Sequence, residues 1–285
     1  MLIIRFLHYL LRWHLWISLA AVGATLQTYV VLRQKITIDN LLLLVLIGAA
    51  TFGTYRLANR LSWLDWHRKT TIKNIWSSLG TETWLAWAIC GFCFVQLNTS
   101  IQYTIGASGL LSIMYSLPFV RKKDSWLRLR DIPFFKIALI VLIWTLVTVF
   151  LPYLNGSFIV PKYQLFLLFL ERMLFYFAIA IPFDIRDHAS DTQHGLSTLV
   201  TYLGKKNAMI LSLFALIISA LVASIHYFYA YPQYQLGASV LSIYPIVGYL
   251  VWRSSNEKNY LLHYFFLDGC IVIQSLWVIA VKFCQ

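Results

Sequence analysis

Apolar runs of about 20 residues recur along the chain and set its expected architecture. Each run is long enough to cross the hydrocarbon core of a bilayer, which is about 30 Å thick. The runs are continuous and do not alternate with polar positions, which excludes a membrane β-barrel. Because backbone in lipid must satisfy its own hydrogen bonds, the pattern predicts nine helices. They cover residues 12–32, 40–59, 82–99, 101–119, 134–152, 163–183, 208–229, 236–252 and 263–283.

The composition agrees with a polytopic membrane protein. Hydrophobic residues occupy 60% of the 285 positions, charged residues occupy 12%, and the mean hydropathy is +0.70. A soluble globular domain does not need so much apolar surface. We therefore expect an all-α bundle of about nine transmembrane helices, in which residues 1–285 form a single domain.

The basic residues are unevenly distributed between the two faces of this arrangement. Of the 23 Lys and Arg, 18 fall on one face, which the positive-inside rule makes cytoplasmic. The amino terminus is then expected inside and the carboxyl terminus outside, in what we expect to be a bacterial inner membrane. This distribution accounts for the net charge of +12 without a nucleic-acid partner. Anionic membrane lipid is the expected partner of most of these side chains.

Three carboxylates follow the sixth apolar run within eight residues, although the chain has only 11 Asp and Glu. Asp184, Asp187 and Asp191 lie at i, i+3 and i+7, on one face of a helix. Such a stripe repels itself unless a cation lies within it, and Mg²⁺ takes oxygen ligands while keeping positions for phosphate oxygens. The stripe predicts a Mg²⁺ site. A solvated acidic helix end is the simpler alternative.

A basic run on the same face contains Arg121, Lys122 and Lys123 and is followed by Arg128 and Arg130. Carboxylates that hold a metal, together with cations that hold the remaining oxygens, suit a diphosphate. In the alternative interpretation these cations only set the topology and contact lipid.

Two segments resemble the UbiA superfamily of intramembrane prenyltransferases. Residues 182–208 are similar to the second aspartate motif of that family, D-x-x-D-x-x-x-D followed by Gly, a Thr-Leu pair and Gly. The matching residues are Asp184, Asp187, Asp191, Gly195, Thr198, Leu199 and Gly204. Residues 114–136 resemble the loop after the fourth helix, with Tyr-Ser, Pro and two basic stretches. The nine-helix layout fits this family as well.

The resemblance implies a fold and an activity. The helices would surround a central cavity open to the cytoplasmic side, and Mg²⁺ would join the aspartates to an isoprenyl diphosphate. The prenyl group would pass to a lipophilic acceptor, expected to be aromatic, while basic residues stabilise the departing pyrophosphate in a water-poor site. The implied catalytic residues are Asp184, Asp187, Asp191, Asn59 and Asp65, and the implied diphosphate-binding residues are Arg56, Arg60, Arg121, Lys122, Lys123, Arg130 and Tyr115.

Tyr115 is included because an aromatic face at the mouth of the fourth helix can stabilise an allylic cation. An interfacial tyrosine is an equally good interpretation of this position.

The first motif of the family, N-D-x-x-D-x-x-x-D, does not occur here in that form. Asn59 is followed by Arg60, and only Asp65 supplies a carboxylate nearby, whereas Arg56 and Arg60 share a helix face at i and i+4. Two interpretations stay open. In one, the arginines contact diphosphate directly and metal binding relies on the second motif. In the other, the chain is a catalytically degenerate homologue with a binding or assembly role.

Glu171 and Arg172 are unusual charges within the sixth predicted span. Their position toward its outer third, away from the acidic stripe, predicts a structural or lateral pair.

Overall fold

The computed structural model describes residues 14–62, 79–117, 120–122, 125–127, 129, 132, 134–156, 160–193, 196–230, 232–254 and 261–284. Within these ranges the regular secondary structure is helical apart from one short hairpin. The helices are α1 (Leu15–Val31), α2 (Ile38–Ser62), α3 (Thr81–Gln96), α4 (Thr99–Ser116), α5 (Phe135–Leu154), α6 (Lys162–Gln193), α7 (Leu199–Leu203), α8 (Lys205–Ala230), α9 (Tyr234–Ser254) and α10 (Leu262–Phe283). The hairpin pairs β1 (Val120–Lys122) antiparallel with β2 (Ser125–Leu127).

Each predicted apolar run coincides with a helix. Six helices, α2, α5, α6, α8, α9 and α10, are long and apolar enough to cross a bilayer, and α1 is a shorter apolar helix. The predicted all-α membrane bundle is therefore confirmed, and the protein is an integral membrane protein. The number of nine crossings stays a prediction, as do the orientation of the termini and the identity of the membrane.

Helix α6 is central to the bundle and continues ten residues beyond the predicted end at 183. It packs against α5, α8 and α9, and it contributes many residues of the larger buried apolar cluster, among them Leu168, Phe175 and Ile181. A smaller cluster joins α1 to α2, α3 and α4. Gly53 allows α2 and α3 to approach, because a Cβ at this position would lie 2.6 Å from Nε1 of Trp87.

Pro182 lies inside α6 and has no N–H to donate to the carbonyl of Ala178, four residues before it. The hydroxyl of Ser212 on α8 donates to this carbonyl at 2.6 Å. A neighbouring helix thus satisfies the backbone group that proline leaves without its helical partner, as the membrane interior requires.

The turn that follows α6 gives two residues of the aspartate motif a structural role. Thr198 caps α7 in a capping box with Thr201, in which each side chain accepts a hydrogen bond from the backbone of the other. Gly204 has a φ of 77° between α7 and α8, a conformation that glycine adopts without strain. These two residues shape the return of the chain toward α8.

Glu171 and Arg172 are buried, each with 1% exposure, and they form the expected structural pair. The Nε atom of Arg172 lies 3.9 Å from Oε1 of Glu171, and Nδ1 of His226 on α8 lies 3.8 Å from Oε2. Nη1 of Arg172 donates to Oε1 of Gln274 on α10 at 3.2 Å. This buried cluster therefore connects α6 with α8 and α10.

We expect Glu171→Ala to destabilise the protein, because it leaves the buried Arg172 charge without its carboxylate. The loss should be about 3–5 kcal/mol in the free energy of unfolding. Glu171→Gln keeps an acceptor oxygen and should lose less. Thermal unfolding of the purified protein in detergent micelles measures the difference.

The matched control is Phe166→Ala on the same helix, because Phe166 is 63% exposed. Phe166→Ala should change the midpoint of thermal unfolding little. A Glu171→Ala variant as stable as this control would contradict the structural role of the pair.

Candidate functional site

The three carboxylates of the acidic stripe lie in the last turns of α6, beside the first turn of α5. Asp184 and Asp191 are buried, with 3% and 6% exposure, and Asp187 is partly exposed. Lys136 stands at the second position of α5 and faces the buried pair. Two neighbouring helices thus place one cation and two carboxylates in a largely desolvated position.

Lys136 bridges the two buried carboxylates. Its Nζ lies 2.8 Å from Oδ1 of Asp184 and 3.2 Å from Oδ2 of Asp191. Because little water reaches these atoms, the attraction is screened less than it would be at a surface. The other oxygen of Asp184, Oδ2, is buried and has no hydrogen-bond partner among the described residues. The ammonium therefore balances one of the two negative charges.

Asp187 is engaged by its neighbour in sequence. Nε of Arg186 donates to Oδ1 of Asp187 at 2.8 Å, and the guanidinium donates to Oδ2 at 3.2 Å, which makes a bidentate pair. The guanidinium carbon lies 4.7 Å from the ring centroid of Tyr264 and 5.4 Å from that of Phe183. Its Nη1 is buried and has no hydrogen-bond partner within the part of the chain that the structure describes.

These contacts decide whether the carboxylates fit a divalent ion as they stand. Among the described residues, no group of three or more His, Cys, Asp or Glu is placed to hold a metal. The space between Asp184 and Asp191 holds an ammonium, and both oxygens of Asp187 face a guanidinium. Mg²⁺ requires several oxygen ligands at about 2.0–2.1 Å. The arrangement does not fit such an ion, and the three-aspartate Mg²⁺ site stays a prediction.

The remaining predicted residues lie around this cluster or outside the described ranges. Arg56 forms an ion pair with Glu82 between α2 and α3. Asn59 lies one turn further along α2, next to Arg60, whose side chain is not described. Tyr115 lies near the end of α4. Arg121 and Lys122 belong to β1 without described side chains, and Asp65, Lys123 and Arg130 lie outside the described residues.

A cavity of about 130 Å³ lies between α1, α2, α4 and α5. Its lining is apolar and aromatic with a few hydroxyls, including Ile47, Thr51, Tyr55, Ser108 and Trp144. On α4 the lining ends at Ser112, three residues before Tyr115, and on α5 it begins at Ile143, seven residues after Lys136. The cavity therefore begins about 10 Å along α5 from Lys136. The ring of Tyr264 contacts the guanidinium of Arg186 within the charged cluster.

From the sequence, Lys136 and Arg186 counted among the basic residues of the cytoplasmic face and had no assigned role at the site, and Glu82 had no assigned role. One signal was available for Lys136, which lies at the start of the fifth apolar run and not in the middle of a polar loop. Glu82 similarly opens a tryptophan-rich helix and is one of only 11 acidic residues. The partners of Lys136 and Glu82, however, lie on other helices, so the local sequence does not identify them.

Among the comparisons with known proteins, the one with solved structures identifies the fold. No protein-family model matches the sequence, and no curated protein does. The solved structure of a UbiA homolog from Archaeoglobus fulgidus bound to GPP and Mg²⁺ superposes with a TM-score of 0.67 at 16% identity, covering 97% of this chain and 98% of that one. An apo UbiA homolog from Aeropyrum pernix K1 gives 0.65 at 16% identity, covering 94% and 97%. A digeranylgeranylglyceryl phosphate synthase gives 0.61 at 15% identity over 100% of both chains.

The chain therefore has the fold of the UbiA homologs, over nearly its entire length. The resemblance that two motifs of the sequence indicated is confirmed at the level of fold.

A double-mutant cycle tests the bridge between α5 and α6. Lys136→Met leaves Asp184 and Asp191 buried without their cation and should reduce the free energy of unfolding by about 3–5 kcal/mol. Adding Asp184→Asn removes one of the two uncompensated charges and should recover part of this loss. We expect a coupling energy of about 1–3 kcal/mol from chemical or thermal unfolding in detergent.

Lys162→Met provides the control, because Lys162 is exposed at the opposite end of α6. Strictly additive effects of the Lys136 and Asp184 substitutions would show that the two side chains do not interact in solution.

Proposed function

We propose that this protein transfers a prenyl group from an isoprenyl diphosphate to a hydrophobic acceptor within the membrane. The observation that carries the proposal is an apolar and aromatic cavity that begins about two helical turns along α5 from the charged cluster built on Lys136 and Arg186. Support comes from the shared fold, because a solved UbiA homolog of that fold is bound to GPP and Mg²⁺ and another structure holds DMAPP and Mg²⁺.

The diphosphate would bind at the charged end of α6. The buried Nη1 of Arg186 has no hydrogen-bond partner among the described residues and is a suitable donor for a phosphate oxygen. Arg56 and the predicted cations of α2 and the hairpin region would hold the remaining oxygens. They are Arg60, Arg121, Lys122, Lys123 and Arg130.

The prenyl chain would extend from the diphosphate into the cavity lined by Tyr55 and Trp144. During transfer the bond between the allylic carbon and the diphosphate oxygen breaks, and its electron pair leaves with pyrophosphate. The acceptor donates an electron pair to the allylic carbon and then loses a proton. Fixed cations stabilise the leaving group, and the aromatic faces, Tyr115 included, stabilise the positive charge on carbon. Exclusion of water protects that carbon from hydrolysis.

The aspartates stay the proposed catalytic carboxylates, together with Asn59 and Asp65. In the observed geometry Asp184 and Asp191 position the ammonium of Lys136, and Asp187 positions the guanidinium of Arg186. This scheme uses the cations of the chain itself, because an ammonium fills the space where a divalent ion was predicted. We further propose that this end of α6 faces the cytoplasm, with the amino terminus on the same side, in a bacterial inner membrane.

Prenyl transfer is tested with the purified protein, radiolabelled prenyl diphosphates and candidate aromatic acceptors. The wild type should transfer the label and release pyrophosphate. Asp187→Ala or Asp191→Ala should lower kcat/KM by on the order of 10²–10³-fold, because each releases a cation that stabilises the leaving group. Gln193→Ala, exposed at the end of α6, is the control and should retain activity. Full activity of the Asp187→Ala/Asp191→Ala double variant would remove both carboxylates from the mechanism.

A catalytically degenerate protein with a binding or assembly role is the second candidate. It is favoured by the ion pair of Arg56 with Glu82, which engages one of the cations that the reduced first motif offers. This candidate predicts that an allylic diphosphate binds, yet no pyrophosphate is released with any prenyl length or acceptor, with or without Mg²⁺.

A further inference from the structure

We infer that Lys136 is a built-in cation that takes the place of a divalent ion between Asp184 and Asp191. The inference rests on the proposed function only for the identity of the ligand, a diphosphate, and not for the cation itself. It also explains why carboxylates in a motif typical of metal binding do not converge on a metal site.

The geometry places a single nitrogen between two carboxylates from different turns. Asp184 and Asp191 are seven residues apart on α6, which separates their Cα atoms by about 10 Å along the helix axis. Their side chains nevertheless both reach Nζ of Lys136, at 2.8 Å and 3.2 Å. The Lys136 side chain is 12% exposed and the two Asp side chains are 4% and 8% exposed, so bulk water does not replace these contacts.

The charges of the chain itself offset most of the acidic stripe. Lys136 contributes one positive charge at Asp184 and Asp191, and Arg186 contributes one at Asp187. The three carboxylates with these two cations have a net charge of −1. Fixed cations therefore supply charge compensation at the position where a divalent ion was predicted.

The same geometry disfavours an additional metal ion. Such an ion at Asp184 and Asp191 would lie beside a fixed positive charge, and Asp187 already uses both oxygens for Arg186. An ammonium also differs from Mg²⁺ in its directionality, since it has three N–H donors and no open coordination positions. Among the described residues, Asp184 and Asp191 use two of these donors. The third is suited to an oxygen of the diphosphate.

Mn²⁺ is the probe that tests this inference, because its paramagnetic signal reports free ion directly. Full-length protein in detergent is titrated with Mn²⁺, without any prenyl diphosphate. We expect no saturable site at the acidic stripe of the wild type. Lys136→Met and Lys136→Gln should each create one, with an affinity on the order of 10–100-fold above the residual Mn²⁺ binding of the wild type. Adding Asp184→Asn to either variant should abolish this gain.

Two controls make the result decisive. Lys162→Met removes an exposed lysine at the far end of α6 and should leave Mn²⁺ binding as in the wild type. Asp184→Asn in the wild-type background should also change nothing, and this comparison does not require a Lys136 variant to fold. A saturable Mn²⁺ site in the wild type that Asp184→Asn abolishes would overturn the inference.

The outcome is separable from that of the proposed function. Saturable Mn²⁺ binding by the wild type that Asp184→Asn abolishes would refute the role of Lys136 and leave prenyl transfer intact. Absence of prenyl transfer would refute the proposed activity, whereas the Mn²⁺ titration would still decide which cation the carboxylates use.

Discussion

The ammonium of Lys136 between two carboxylates is the interaction on which the charged end of the bundle depends. Buried carboxylates are costly unless a cation and hydrogen bonds compensate them. The contacts to Asp184 and Asp191 provide this compensation and attach the last turns of α6 to the first turn of α5. Helix α6 can therefore continue past its apolar run to Gln193, and the polar residues beside the cavity keep fixed positions.

Buried charged and polar groups are compensated in different ways at three levels of α6. Toward the other end, Glu171 and Arg172 are separated by 3.9 Å and rely on partners from other helices. In the middle, Ser212 of α8 satisfies the carbonyl that Pro182 leaves free. At the charged end the contacts are shorter, and the aromatic cavity begins about two helical turns further along α5. The contacts at the first two levels hold helices together. The contacts at the third level also hold helices together, and they place charged side chains where a ligand can bind.

The helices were predictable because hydropathy is a local property of the sequence, and the spacing of the aspartates correctly placed them on one helix. Partner choice was not predictable, because it depends on which helices pack together. Lys136 precedes Asp191 by 55 residues, and Arg56 precedes Glu82 by 26. Asp187 illustrates the opposite case. Asp187 shares its helix face with the other aspartates, but its partner is the adjacent Arg186, which makes a bidentate contact with it. The i, i+3, i+7 spacing of the aspartates does not reveal this contact.

A fixed ammonium and a divalent ion can balance the same carboxylates, but they differ in when the balance exists. An exchangeable ion can enter together with the diphosphate. Before that ion binds, the carboxylates of such a site repel one another. A lysine that belongs to α5 is present at all times, and the carboxylates are therefore organised before any ligand arrives. The consequence is a trade between stability and chemistry. The chain gains a partly neutralised helix end without an ion. It relies on arginine and lysine donors for the leaving group, which have fixed positions but carry a single charge each.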